Sequence, residues 1–202
     1  MKKDITGIIL CGGKSSRMQT NKALLKISGK PVIEIIAERL KSIFNVVLIS
    51  TNDSKKYNFL NLPLVNDIIN DKGPLGGIYS ALKLSTTEKN FIISCDMPLI
   101  NVELIKYLIN LNSDKAILLP KSKGRIHQLC GVYSKSVISI IEDVFNLSQV
   151  NKSIKGSVYE LIEIVPTNLI DVEHLPFYDE NQFLNMNSPE DYELIKNIYE
   201  NQ

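Results

Sequence analysis

Four short, almost wholly apolar runs, each separated from the next by segments with helical periodicity, set the narrowest limit on how this chain folds. Ile5-Thr6-Gly7-Ile8-Ile9-Leu10, Val46-Val47-Leu48-Ile49, Phe91-Ile92-Ile93-Ser94 and Ala116-Ile117-Leu118-Leu119 have little polar alternation. Strands read this way when they lie in a parallel sheet with both faces covered by helices. Between the runs, Ile33, Ile36, Leu40 and Phe44 follow Pro31 at the spacing of one helix face, and Ile78, Ala81 and Leu82 follow Pro74. Leu104, Ile105, Leu108 and Ile109 follow Asn101, a candidate N-cap. Strands alternating with single helices predict crossover connections in a three-layer α/β/α, mostly parallel, Rossmann-like fold, with one domain over residues 1–202. Residues 128–133 read as a further strand. Ser134 is placed to cap a helix carrying Val137, Ile138, Ile141, Val144 and Phe145 inward. Ser188-Pro189-Glu190-Asp191 begins a final helix with two acids at its positive end. Residues 146–179 show no clear pattern.

Charge and composition exclude several classes. With 23 Lys and Arg against 22 Asp and Glu, and no basic run longer than two residues, the chain lacks the basic face on which nucleic-acid affinity rests. An apolar content of 44% with 22% charge is too hydrophobic for disorder. No apolar stretch reaches the ~20 residues of a membrane-spanning helix, and the run from Ile5 to Leu10 is too short for a signal peptide. Three cysteines, Cys11, Cys95 and Cys130, are an odd number without C-x-x-C spacing. They predict reduced thiols in a cytoplasmic protein and packing roles for Cys11 and Cys95. His127 and His174 lie far apart and read as surface or satisfied core residues rather than metal ligands.

In sheets of this kind, ligands bind outside the carboxyl ends of the strands, so the loops there are the candidates for chemistry. The first is Leu10-Cys11-Gly12-Gly13-Lys14-Ser15-Ser16-Arg17-Met18, followed by Lys22. Adjacent glycines let backbone N–H groups approach a phosphate or a base, and Arg17 and Lys22 supply cations. The loop is neither a Walker loop, since Ile8 stands where its first glycine belongs, nor a dinucleotide fingerprint, since serines replace the third glycine. The second segment, from Asp67 to Gly73-Pro74-Leu75-Gly76-Gly77-Ile78, bares a helix amino end with three of the chain's ten glycines. It suits an anion or simply tight packing. The third is Ser94-Cys95-Asp96-Met97-Pro98, where a carboxylate directly after a buried strand suits a magnesium ion whose other ligands are phosphates and water. The fourth is Asn185-Met186-Asn187 before the last helix; the helix cap does not account for two alternating asparagines, expected to point the same way from extended chain.

Together these segments resemble the molybdenum cofactor guanylyltransferase family of nucleotidyltransferases. That family's pattern runs L-A-G-G-x-S-x-R-M-G, a lysine shortly after, G-P-L-[AG]-G, D-x-P and N-[IMV]-N-[ST]-P-E-[DE]. Gln19 stands here in place of the glycine after methionine, and Asn21 where an acid often precedes the lysine. The resemblance implies the nucleotidyltransferase form of the fold and transfer of GMP from magnesium-bound GTP to the terminal phosphate of molybdopterin, with release of pyrophosphate. It implies that Leu10, Cys11 and Gly12 meet the guanine, and that Gly13, Ser50, Asp67 and Gly73 are further nucleotide contacts. Lys22 matches the triphosphate lysine, Asp96 the magnesium ligand, and Arg17, Asn185 and Asn187 the pterin side. GTP and molybdopterin are the implied partners, and the reading allows transient contact with pterin-delivering or acceptor proteins. Two alternatives remain at this point: a CTP-dependent cytidylyl counterpart, against which Gly12-Gly13 and the Gly73–Gly77 segment speak, and a nucleotide-binding module without catalysis.

Overall fold

The computed structural model of the protein describes residues 4–12 and 21–201. The first loop's Gly13 and Arg17 lie outside the described residues. Strand β1 (Thr6–Leu10) is followed by a small antiparallel hairpin of β2 (Lys26–Ile27) and β3 (Lys30–Pro31), then helix α1 (Val32–Ile43). Pro31 is the last residue of β3 and the N-cap of α1, one step before the helical position the sequence suggests. Next come β4 (Val46–Ser50), β5 (Leu64–Val65), α2 (Gly73–Leu84), β6 (Lys89–Ser94) and α3 (Val102–Asn110). Asn101 caps α3 as expected, its side chain accepting from the Glu103 N–H. The second half contains β7 (Ile117–Ser122), β8 (Arg125–Ile126), β9 (Cys130–Ser134), α4 (Ile138–Val150), α5 (Val158–Ile164), β10 (Thr167–Asp171) and α6 (Pro189–Glu200).

The main sheet has the order β10-β7-β9-β6-β1-β4-β5, with β8 added on β7. Pairs β1–β4, β1–β6, β4–β5 and β7–β10 are parallel, whereas β9 runs antiparallel to both β6 and β7. The three-layer expectation holds because alternate residues of each strand feed opposite cores. Ile9, Val47, Phe91 and Val132 face a core closed by α1, α3 and α6, and Ile8, Leu48, Ile92 and Tyr133 face one closed by α2, α4 and α5. Phe44, expected on the helical face, is the C-cap of α1 and stacks on Phe91 with ring centroids 5.8 Å apart.

The two edges of the sheet differ in how their polar groups are satisfied. At the amino ends of β1 and β6, the buried Thr6, Ser85, Thr87 and Asn90 bond one another; the Thr87 hydroxyl donates to Thr6 Oγ1 at 2.8 Å. Buried polar groups closed on themselves in this way rigidify an edge and leave it no capacity for a ligand. The carboxyl edge is open.

Candidate active site

Leu10, Ser50 and Ser94 stand side by side as the last residues of β1, β4 and β6. The ladders run one step further: the Cys11 N–H donates to Ser50 O at 2.8 Å, Cys95 N–H to Leu10 O at 3.0 Å and Ser94 N–H to Leu129 O at 2.9 Å. Cys11-Gly12, Cys95-Asp96 and residues 127–129 therefore leave the sheet along one rim. Because β9 is antiparallel, the residues before it, not after it, reach this rim.

Helix α2 presses its amino end against the same row. Gly73 holds φ +55°, a left-handed conformation suited to glycine. A Cβ on Gly77 would stand 2.9 Å from Ser50 Oγ, 3.5 Å from Leu10 Cδ2 and 3.7 Å from an Asp67 carboxylate oxygen. Close helix–strand packing thus accounts for Gly77, the plainer of the two readings the sequence allowed. Ser50, expected at the nucleotide, is buried, and its hydroxyl donates to Gly77 O at 3.3 Å. Asp67 does reach the mouth. Asn52 clamps it, donating from its amide to Asp67 Oδ2 at 2.7 Å and accepting from the Asp67 N–H at 2.8 Å. Sequence reasoning missed Asn52, whose only signal is its place just past β4.

Lys22 opens a single 3-10 turn, Lys22–Leu24, capped by Asn21, whose Oδ1 accepts from the Ala23 N–H at 3.1 Å. The amide of Asn21 also donates to the Tyr57 hydroxyl at 3.0 Å, so this asparagine holds the base of the turn. The Lys22 ammonium donates to Asn187 Oδ1 at 3.0 Å. The structure thus joins a residue expected at the triphosphate to one expected at the pterin. Asn185 does not share that direction of bonding, since its amide donates to Phe183 O at 3.2 Å. Between the two, Met186 is fully buried, which splits the pair of asparagines the sequence reading took as alike.

Asp96 lies at the centre of the rim. The Ser94 hydroxyl donates to its Oδ1 at 2.6 Å, and its carbonyl accepts from the Met186 N–H at 3.1 Å. The second contact ties the asparagine segment to the Asp96 loop. That segment is held from its other end by the capping box of α6: Asp191 Oδ2 accepts from the N–H groups of Asn187 and Ser188, each at 2.9 Å, and Ser188 Oγ accepts from the Asp191 N–H.

His127 also sits here. Its ring lies on that of Phe183 with centroids 3.7 Å apart and 9° between planes, and its Nε2 bonds the Ser122 hydroxyl at 2.8 Å. Burial, with the Arg125 charge second, lowers its pKa to about 4, so the ring is neutral near pH 7. It is the satisfied histidine expected from the sequence. Burial raises the Cys11 thiol well above its ordinary value, helped by a hydrogen bond with Cys95 and by the charges of Cys95 and Asp96. A thiol kept protonated is no nucleophile. All three cysteines are free.

Among the described residues no group of three or more His, Cys, Asp or Glu side chains could hold a metal by itself. The arrangement fits instead a cation brought in with its ligand. Asp96 offers one carboxylate, its Oδ1 oriented by Ser94 and its Oδ2 without a hydrogen-bond partner among the described residues. A hard cation that takes phosphate and water oxygens for its other positions needs no more protein than this.

Over residues 7–158 the chain matches a known family model, that of the MobA-like NTP transferase domain. The chain belongs to that family. A protein of Flavobacterium johnsoniae named "Probable molybdenum cofactor guanylyltransferase" is 39% identical over 170 residues, covering 84% of this chain and 86% of that one. One of the same name from Carboxydothermus hydrogenoformans is 35% identical over 199 residues, 98% of each chain. The crystal structure of molybdopterin-guanine dinucleotide biosynthesis protein A from Archaeoglobus fulgidus superposes with a TM-score of 0.80 over 98% of this chain and 100% of that one. At 21% identity it attests the fold. This MobA-like chain is accordingly a nucleotidyltransferase with the three-layer sheet expected from its sequence.

Proposed function

We propose that this MobA-like chain transfers GMP from magnesium-bound GTP to the phosphate of molybdopterin, in the cytoplasm, forming the guanine dinucleotide and releasing pyrophosphate. The observation that carries the reading is the convergence of the Leu10–Gly12 backbone, the Asp67–Gly77 segment, Lys22 and Asp96 on one rim, with the asparagine segment bonded to both Lys22 and Asp96. Relatives over most of the chain carry the matching name.

The chemistry asks little of acid–base groups. A phosphate oxygen of the acceptor attacks the α-phosphorus, the bond to the β-phosphate oxygen breaks, and the acceptor is already ionised at neutral pH. Positioning of two anions and neutralisation of their charge dominate such a step. This agrees with a rim whose one histidine is engaged by Ser122 and Phe183 and held neutral. Asp96 would hold magnesium, which supplies charge neutralisation at the triphosphate when bound. Lys22, steered by Asn187, brings a second positive charge to the same place. By family resemblance the backbone of Leu10, Cys11 and Gly12 serves the base, with the Cys11 N–H already taken by Ser50 O. Gly13 and Arg17 lie outside the described residues; by family resemblance they serve the nucleotide and the pterin side.

Binding of GTP, CTP, ATP and UTP in magnesium, measured side by side by calorimetry, tests the reading. GTP is expected to bind at least tenfold more tightly than the others, a difference of about 1.4 kcal/mol. A preference for CTP would transfer the assignment to the cytidylyl counterpart, which the names of the relatives do not favour.

A further inference from the structure

Between β4 and β5 the chain makes two short 3-10 turns, Ser54–Lys56 and Asn58–Leu60, with Tyr57 between them. The tyrosine belongs to the core closed by α1, α3 and α6, which Cys11 and Cys95 cover at the rim, and only 2% of it is exposed. A phenol so placed needs a protein partner for its hydroxyl, because it has given up those it had in water. Among the described residues that partner is Asn21, 36 positions earlier in the chain: its amide donates to the Tyr57 hydroxyl at 3.0 Å, and the hydroxyl stands 3.3 Å from Asn21 Oδ1. Burial pushes the phenol well above its ordinary pKa, so the partner of Asn21 is neutral throughout the working range.

Asn21 uses both ends of its amide. Its Oδ1 caps the turn that carries Lys22, accepting from the Ala23 N–H at 3.1 Å, while its amino group reaches the tyrosine. An ionised acid in its place would cap the turn equally but could only accept from Tyr57. The turn itself, Lys22–Leu24, has three residues and cannot hold a direction through its own bonds. It is fixed from outside, by Ala23 buried in the same core and by Asn21 held on Tyr57. The Lys22 ammonium then ends on Asn187 Oδ1 at 3.0 Å. A lysine stem left free samples many rotamers, so a fixed root and a partner at the tip together aim its charge.

We propose that Tyr57 is a positioning residue for Lys22: through Asn21 it fixes the root of the lysine, as Asn187 steadies the tip, and so sets the ammonium where the triphosphate arrives. The proposal rests on the guanylyl-transfer reading for what Lys22 meets. The test uses the whole chain and Tyr57→Phe, which keeps the ring in the core and the Asn21 cap on Ala23 and removes only the hydroxyl. Two readouts are taken: the magnesium–GTP Kd by calorimetry, and the rate at which acetic anhydride acetylates Lys22 without nucleotide, read by peptide mass spectrometry against the other lysines. Tyr57→Phe is expected to weaken GTP binding about threefold and to speed Lys22 acetylation by about as much, the scale of one hydrogen bond. Asn21→Ala, which cuts the same bond from its other end, should change both at least as far. Asn21→Asp, which keeps the cap and accepts from the Tyr57 hydroxyl, should hold the acetylation rate within about twofold of the parent. In a Lys22→Ala background, Tyr57→Phe should move the GTP Kd by less than about 1.5-fold, because the residue it positions is gone. An equal GTP loss with and without Lys22 overturns the proposal, since a general loosening of the fold would act in both backgrounds. Unchanged GTP binding in Tyr57→Phe also overturns it, whatever the acetylation rate. If the parent binds no magnesium–GTP, the functional reading fails instead, and Lys22 acetylation still decides whether Tyr57 holds the lysine.

Discussion

On the β4 side of β1, the rim is assembled from consecutive strand–loop–helix units. Cys11 and Thr51 follow directly, and Asp67 two residues on, from strands that pair in parallel, and α2 packs on the same strand ends through Gly77. On the β9 side, the rim is assembled from pieces remote in sequence: residues 127–129 enter an antiparallel strand, Phe183 stacks on His127, and residues 185–187 arrive from before the last helix. The first half is set by backbone ladders and glycine packing, and the second by a few long-range side-chain and backbone contacts. One half can be altered with little effect on the other only where no contact crosses between them. Beyond the β6–β9 ladder, which includes the Ser94 N–H to Leu129 O bond, two contacts cross: Met186 with Asp96, and Asn187 with Lys22.

The largest effect is expected at the seam. Asp96→Asn should lower turnover by about 10²–10³-fold, the scale of removing one preorganised charge-stabilising group, while the thermal midpoint stays near that of the parent because the side chain is not core. Turnover within threefold in saturating magnesium would show that the seam does not carry the reaction. A smaller effect separates the halves. Lys22→Ala should weaken magnesium–GTP binding about tenfold with guanosine binding unchanged, and Asn187→Ala should follow in the same direction by about threefold, since a partly exposed hydrogen bond is worth only about 0.5–1.5 kcal/mol. If calorimetry finds GTP binding untouched in Asn187→Ala, the Lys22–Asn187 bond does not couple the subsites, and Asn187 acts on the acceptor alone.

The smallest effect concerns His127 and pH. Its folded pKa, about 4, lies below the ordinary value of 6.5, so as pH falls from 6.5 toward 4 the unfolded chain takes up a proton that the folded chain does not. The stability is fully present above pH 6.5 and declines as pH falls, modestly because the ring is only partly shielded from water. Scanning calorimetry between pH 7 and pH 5.5, above the ordinary carboxylate range, should show the midpoint dropping with pH, and His127→Gln should flatten that slope. Equal slopes in the two proteins would break the account of this contact in the β9 half.

The same contrast explains what was legible in the sequence. The runs ending at Leu10, Ile49 and Ser94 are strands because continuous apolar character and a following turn are local signals, and the cap residues Asn101 and Ser188 announce their helices in the same way. Helix α5 had a local signal that went unread: Ser157 and Glu160 form a capping box, the S-x-x-E pattern, inside the stretch that showed no periodicity. The direction of β9 had none, because an antiparallel strand buried on both faces looks like a parallel one, and only pairing across the sheet reveals it. Asp96 and Lys22 were found by motif, whereas Asn52 and His127 take their places through contacts with Asp67 and Phe183, which no spacing rule encodes.

The bond from the Met186 N–H to the Asp96 carbonyl has a consequence for how the enzyme comes into being during its synthesis. The strands that frame the nucleotide half, β1, β4, β5 and β6, have all been synthesised once Ser94 is added, and they can pair as soon as they emerge. Asp96 follows at once, yet the backbone partner that steadies its loop, Met186, is made far later in the chain. A nascent chain can therefore assemble a nucleotide pocket well before the asparagine segment and α6 complete its rim.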